Sequence, residues 1–187
     1  MKMKNILFLL VSVLIIVVSY SNNPVEEHSK LVRIDNNNFE FELPKDSKEI
    51  DGDLKNAMLQ LNSNILYLAI CDTNGSGNMF MVSKYVSENK ESIEEAFMQS
   101  VNTASNFNID TLSNDFHLID YKVYKVKGKT LRYKISAHFG NVNTIMYYFM
   151  KDDYSNELYE IKATARENEL PKVLNFMEEV ALSVKIK

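Results

Sequence analysis

The sequence predicts an α+β domain, an antiparallel β-sheet packed with amphipathic helices, and three observations predict it. Leu131, Tyr133, Ile135, Ala137 and Phe139 alternate with Arg132, Lys134, Ser136 and His138, the period-two signature of a strand with one buried face. Three further runs surround it, joined by links too short for a crossover helix, so the group reads as an antiparallel meander. These are "YKVYKV" before Lys127-Gly128-Lys129, "NTIMYYFM" after the Gly140 turn, and "ELYEIKATA" after Asp152-Asp153-Tyr154-Ser155-Asn156. Two other segments carry a helical period: Ile93, Phe97, Val101 and Ala104, and later Leu170, Val173, Leu174, Met177, Val180 and Ala181.

Taken from the start, Lys2 and Lys4 precede Ile6–Val18, which is apolar except for Ser12. That run suits a signal-peptide core and is short of the roughly 20 residues of a membrane span. Small residues at Val17 and Ser19 allow cleavage after Ser19, and Ser19 and Ser21 allow it after Ser21. Residues 1–19 are therefore expected to be a signal peptide or an N-terminal anchor, residues 20–30 a polar tether, and residues 31–187 one domain. The expected location is outside the cytoplasm, in a periplasm, cell envelope or extracellular space, with membrane contact only if the N-terminal segment is retained. The single cysteine, Cys71, is far from the cleavage region, so it cannot carry a lipid anchor there, and it permits no internal disulfide. Its place in the apolar run "NILYLAIC" predicts a buried, inert thiol.

Within the domain, "FEFELP" alternates Phe39, Phe41 and Leu43 with Glu40 and Glu42, a half-buried strand that "LVRI" is expected to pair across Asn36-Asn37-Asn38. Asp53 is expected to cap a short helix carrying Leu54, Met58 and Leu61. "NILYLAIC" and "NMFMVSKYV" read as a central strand and its partner. Ser92 followed by Glu95 is a capping-box pattern opening the next helix, and Pro171 suits the first turn of the last. "SVKIK" ends the chain.

Between the two paired strands lies Asp72-Thr73-Asn74-Gly75-Ser76-Gly77, which copies the first half of an EF-hand loop. The twelfth position of that loop needs a glutamate and here holds Ser83, and both flanks read as strands. The segment is therefore expected to be a hairpin turn. No nucleophile elbow, metalloprotease motif or Cys/His ligand spacing is present, and the pairs Glu94-Glu95, Asp152-Asp153 and Glu178-Glu179 read as exposed charge. No catalytic, metal or cofactor residue is assigned. His117, near Ser113 and Asp115, is the only group that suggests a hydrolase.

The formal charge is −4, and loss of Lys2 and Lys4 on cleavage takes it to −6, which argues against nucleic acid as a partner. Against this background no acidic residue occurs between Asp120 and Asp152, while Lys122, Lys125, Lys127, Lys129, Arg132, Lys134 and Lys151 do. A two-residue turn at Lys127-Gly128 or Gly128-Lys129 places Lys125, Lys127, Arg132 and Lys134 on one face, opposite Leu131, Tyr133 and Ile135. Like charges that face one another across strands cost up to about 1 kcal/mol per pair. An anionic surface or an acidic protein would offset that cost, and the four residues form the candidate binding site. Keeping an edge hairpin soluble is the structural alternative. The methionines Met79, Met81, Met146 and Met150 suggest a second possibility, a cavity for a small apolar ligand.

The element order, with "FEFELP", the helix from Ser92, "YYFMKDDYSNELYEIKATA" and the closing "LPKVLNFMEEVALSVKIK", resembles the PsbP-like domains over about residues 31–187. That resemblance implies an α/β/α sandwich and an exported, non-catalytic assembly or binding role. Where such domains often carry Gly-Trp after the first proline, this chain has Lys45-Asp46 after Pro44, and it has no tryptophan. No family binding motif matches, so the resemblance assigns no functional residue.

Overall fold

The computed structural model describes residues 31–35, 39–45, 47–71, 78–106, 117–138 and 142–187. Residues 1–30, for which a signal peptide or anchor and a polar tether are expected, the Asn36–Asn38 link, the Asp72–Gly77 segment, Ser113 and Asp115 lie outside the described residues. In chain order the elements are β1 (Leu31–Asp35), β2 (Phe39–Pro44), β3 (Lys48–Glu49), α1 (Gly52–Leu61), β4 (Ile65–Cys71), β5 (Asn78–Ser92) and α2 (Ile93–Asn106). There follow β6 (His117–Val126), β7 (Lys129–His138), β8 (Val142–Phe149), β9 (Tyr154–Arg166), a 3-10 turn (Glu167–Glu169), α3 (Leu170–Ser183) and β10 (Lys185–Ile186).

Seven strands form one antiparallel sheet in the order β3-β4-β5-β9-β8-β7-β6. The meander from β6 to β9 is present as the short links require, and β5 closes on β9 to join it to the first half of the chain. The strand "FEFELP" does not enter this sheet. It pairs with β1 on one side and with β10, the end of the chain, on the other, giving a separate three-stranded sheet.

Period-two alternation gives the large sheet two different faces. On one, Phe80, Tyr133, Ile145, Tyr147 and Ile161 meet Val173, Met177, Val180 and Ala181 of α3 together with Phe39, Phe41 and Leu43 of β2. On the other, Met58 of α1 packs on Leu68, Met79 and Met81, and Phe97 and Val101 of α2 pack on Met146 and Tyr148. The layers are thus α1 and α2, the seven-stranded sheet, and α3 beside the small sheet: an α/β/α sandwich with a β annex.

Local chemistry explains the boundaries. The capping box at α2 is complete: Ser92 Oγ accepts from the Glu95 N–H at 3.2 Å, and Glu95 Oε2 accepts from the Ser92 N–H at 2.8 Å. The β6–β7 turn is Lys127-Gly128, with φ of 51° and 79°, the left-handed pair that a two-residue hairpin requires. One expectation is corrected. Asp53 lies inside the first turn of α1, and Asp51 holds the N-cap position without a side-chain cap bond. The left-handed Gly52, at φ 68°, turns the chain into the helix instead.

Candidate functional site: a cationic hairpin and the seam beneath its helix

In the β6–β7 register Lys125 faces Thr130, Val123 faces Arg132 and Tyr121 faces Lys134. Lys125, Arg132 and Lys134 therefore share a face, opposite Tyr124, Leu131 and Tyr133, as the alternation predicts. The expectation that this whole face is solvated is corrected. Helix α2 lies across it, because Phe97 and Val101 must be covered and the apolar surface on β8 and its neighbours covers them. Lys134 is only 6 % exposed. Its ammonium group donates to the Ser100 carbonyl at 3.2 Å and to Ser100 Oγ at 2.5 Å, and sits 5.7 Å from the centre of the Tyr148 ring. Arg132 Nε donates to Glu94 Oε2 at 3.0 Å. Two of the four candidate cations thus hold α2 on the sheet, whereas Lys125 and Lys127 remain exposed at the hairpin tip.

Beneath α2 runs a buried polar seam that alternation alone does not reveal. Lys134, Met146 and Lys162 stand side by side across β7, β8 and β9. Lys162 Nζ lies 3.1 Å from Glu160 Oε1, with both side chains less than a tenth exposed. Tyr85 donates to the same oxygen at 3.5 Å, and the Tyr148 and Ser100 hydroxyls share a hydrogen bond of 2.8 Å. Burial alone would push the Glu160 carboxyl up, but Lys162 and Lys134 together outweigh it and hold the group below its ordinary range. For Lys162, burial favours the neutral amine, and Glu160 overrides it and raises the pKa. Lys134 gains less from Glu160 and is repelled by Lys162, so burial brings it down to about 8. Among the described residues the Ser136 hydroxyl is buried without a hydrogen-bond partner, and Ser83 lies buried directly across from Glu160.

Lys129, also in the basic interval, serves α3. Its ammonium group donates to the Ala181 and Val184 carbonyls at 2.9 and 2.6 Å, where a cation complements the carbonyl end of a helix. Burial brings its pKa down to about 8. Tyr124 reaches the same helix through Glu178 Oε2 at 2.8 Å. Cys71 is buried, accepts a hydrogen bond from Ser47 at 3.1 Å, and burial pushes its thiol up to about 12, the inert state expected for it.

The four methionines do not converge on one cavity. Met79 and Met81 pack beneath α1 and Met146 beneath α2, while Met150 lines an open groove of about 180 Å³ with Tyr85, Val86, Gln99 and Leu158. The strand flanks of the Asp72–Gly77 segment are those of a hairpin, Cys71 pairing with Asn78, and not those of an EF-hand. Among the described residues no three His, Cys, Asp or Glu side chains gather as metal ligands, and no helix is long and apolar enough to cross a membrane.

Sequence reasoning missed Glu160 and Lys162. A signal was available: they alternate with Tyr159, Ile161 and Ala163 in "YEIKA", and charges on the second face of a central strand are buried as soon as a helix covers it.

No family model and no curated protein matches the sequence. Solved structures do match. The solution structure of cyanobacterial PsbP (CyanoP) from Synechocystis sp. PCC 6803 aligns with a TM-score of 0.53 and 14% identity, covering 89% of this chain and 98% of that one. LpqN of Mycobacterium tuberculosis, described as involved in cell envelope biogenesis, aligns with a TM-score of 0.49 and 9% identity over 90% of this chain and 92% of its own. At 14% identity the likeness to CyanoP is one of fold alone, and the chain has a PsbP-like fold.

Proposed function

We propose that the chain is an exported, non-catalytic binding domain that docks an anionic surface through the tip of the β6–β7 hairpin. The observation that carries this reading is the pair Lys125 and Lys127, which stay exposed after α2 has taken up Arg132 and Lys134. They lie within an interval free of acidic residues in an otherwise acidic chain. The leader-like N-terminus, Lys2 and Lys4 before Ile6–Val18, supports export. The fold is consistent with such a role but does not specify it.

A basic group close to an anionic bilayer contributes about 1 kcal/mol. The test is co-sedimentation with phosphatidylglycerol vesicles, against phosphatidylcholine vesicles, at low and high salt. Binding to the anionic vesicles alone is expected, weakened by salt and reduced at least tenfold in the double variant Lys125→Glu, Lys127→Glu. Equal binding by that variant would overturn the proposal. A ligand-carrier reading has less support at Met150, whose groove of about 180 Å³ falls below the roughly 300 Å³ at which ligand pockets begin.

A further inference from the structure

Strand β6 forms one edge of the seven-stranded sheet, and among the described residues no strand lies against its outer side. The two-residue turn fixes which of its backbone groups are free. Val126 and Lys129 close the hairpin, so the N–H and C=O groups of alternate residues Tyr124 and Lys122 point to β7, and those of Tyr121 and Val123 point outward. The same stretch is apolar at the surface, Ile119, Tyr121 and Val123 being 47%, 45% and 45% exposed. Between these residues, on the α3 side of the strand, Asp120 and Lys122 lie 3.9 Å apart.

We propose that the outer edge of β6 is an interface between two copies of this chain, paired antiparallel about a two-fold axis at Tyr121. In that register Tyr121 of one copy meets Tyr121 of the other, with the outward backbone groups of both forming the central pair of hydrogen bonds. On the opposite face Asp120 meets Lys122 of the second copy, twice, so the two ion pairs inside the copies join into one alternating ring of four charges. Neighbouring symmetric registers lack this match. Centring on Lys122 sets two lysines face to face, and centring on Val123 leaves Asp120 opposite Val126. The bulge at Ile119, between Leu118 and Asp120, and the lysines at the strand end discourage indiscriminate edge pairing. The charge pattern then selects a second copy in one alignment.

One strand edge covers less than the roughly 1,200 Å² of a stable interface, so the association is weak and appears at high protein concentration. The faces of the sheet are continuous across such a pair, so the Lys125 side chains of both copies share the α2 face while the two hairpin tips lie at opposite ends of the joined sheet.

Sedimentation equilibrium on the protein as recovered from its host tests the proposal. The unsubstituted chain is expected to show a concentration-dependent dimer. Asp120→Lys and Lys122→Asp each replace two attractive cross-strand pairs by repulsive ones, and each is expected to weaken the dimer roughly tenfold. The double variant Asp120→Lys, Lys122→Asp restores the pattern with signs exchanged and is expected to recover the dimer. Both side chains are exposed, and circular dichroism verifies that each variant keeps the fold. A chain that stays monomeric, a dimer indifferent to either single reversal, or a double variant that fails to recover would each overturn the proposal. It does not rest on the anion-docking reading, whose test changes Lys125 and Lys127 and leaves Asp120 and Lys122 in place.

Discussion

Glu160 lies between two ammonium groups, and removing the carboxylate or the Lys134 ammonium has different consequences. Glu160→Gln leaves Lys162 and Lys134 buried without a carboxylate, and the loss of stability is expected to be about 3 kcal/mol or more, as for other broken buried pairs. Lys134→Met leaves Glu160 and Lys162 paired one to one. It gives up the bonds to Ser100 and also the burial of a charge, so stability at pH 7 is expected within about 1 kcal/mol of the parent. Urea unfolding of both variants checks the contrast, and equal losses would contradict it. The pH dependence has a definite sign. Lys134 has a folded pKa of about 8 against 10.5 for the ordinary group. Between those values the unfolded chain binds more protons, so stability rises with pH, by about 3 kcal/mol over the full window for this one group. Lys129, also brought down to about 8, adds a rise of the same sign. From pH 8 to 9.5, below the tyrosine range, Lys134→Met is expected to keep only the Lys129 share. Glu160 acts on the acid side. Its contribution is present above the unfolded carboxylate pKa of about 4.3 and is lost as pH falls through its lower folded value. Why Lys134 looked solvated in the sequence follows from the same geometry. Alternation says which side of a strand a residue takes, and it carries no information about a helix thirty-odd positions earlier in the chain that covers that side.

Elements whose ordering is local were legible in the sequence, and those completed at long range were not. The capping box at Ser92 and Glu95 and the turn glycine Gly128 depend on residues a few positions apart, and the four-strand meander follows from links of a few residues. Strand β5 shows the limit. It runs for 15 residues, through the polar "SENKES", where no period-two pattern marks a strand. It persists because β9 pairs with it, from Phe80 opposite Ala163 to Ser92 opposite Tyr154, across an irregularity between Val86 and Glu91. The separate sheet is another case: "FEFELP" announces one buried face, but its partner β10 lies at the far end of the chain. Local ordering yields a sharp prediction at the hairpin. Gly128, at φ 79° with open space where a Cβ would stand, is limited by backbone conformation and not by contacts. Gly128→Ala is therefore expected to destabilise by about 1 kcal/mol. Gly128→Asn, which tolerates the left-handed region, is expected to cost less. Thermal unfolding of the two variants distinguishes this from a packing effect, under which the larger side chain would do more harm.

Across the whole molecule the sheet separates two cores of unequal strength. On the α3 side aromatic and aliphatic residues from both sheets and the helix form one continuous cluster. On the α2 side Phe97 and Val101 meet Met146 and Tyr148, and polar groups occupy the adjoining seam. Less apolar area therefore opposes the lifting of α2 than the lifting of α3, and regions of this kind open below the global unfolding free energy. Native-state hydrogen exchange is expected to show α2 amides exchanging through a partial opening, while those of α3 and the central strands β8 and β9 exchange only on global unfolding. Phe97 anchors the weaker side, fully buried with its ring 5.5 Å from that of Tyr148 and 6.2 Å from that of Tyr121. Phe97→Ala, a change that typically costs 3–5 kcal/mol in a core, should strip protection from α2 first. If α3 loses protection in step with α2, the two cores unfold as one unit and the division is wrong. If α2 alone responds, the face that carries Lys125 and the Tyr121 edge has a mobility of its own. Lys134 and Arg132, which sequence alone placed among the binding residues, then act on that face by holding its helix down.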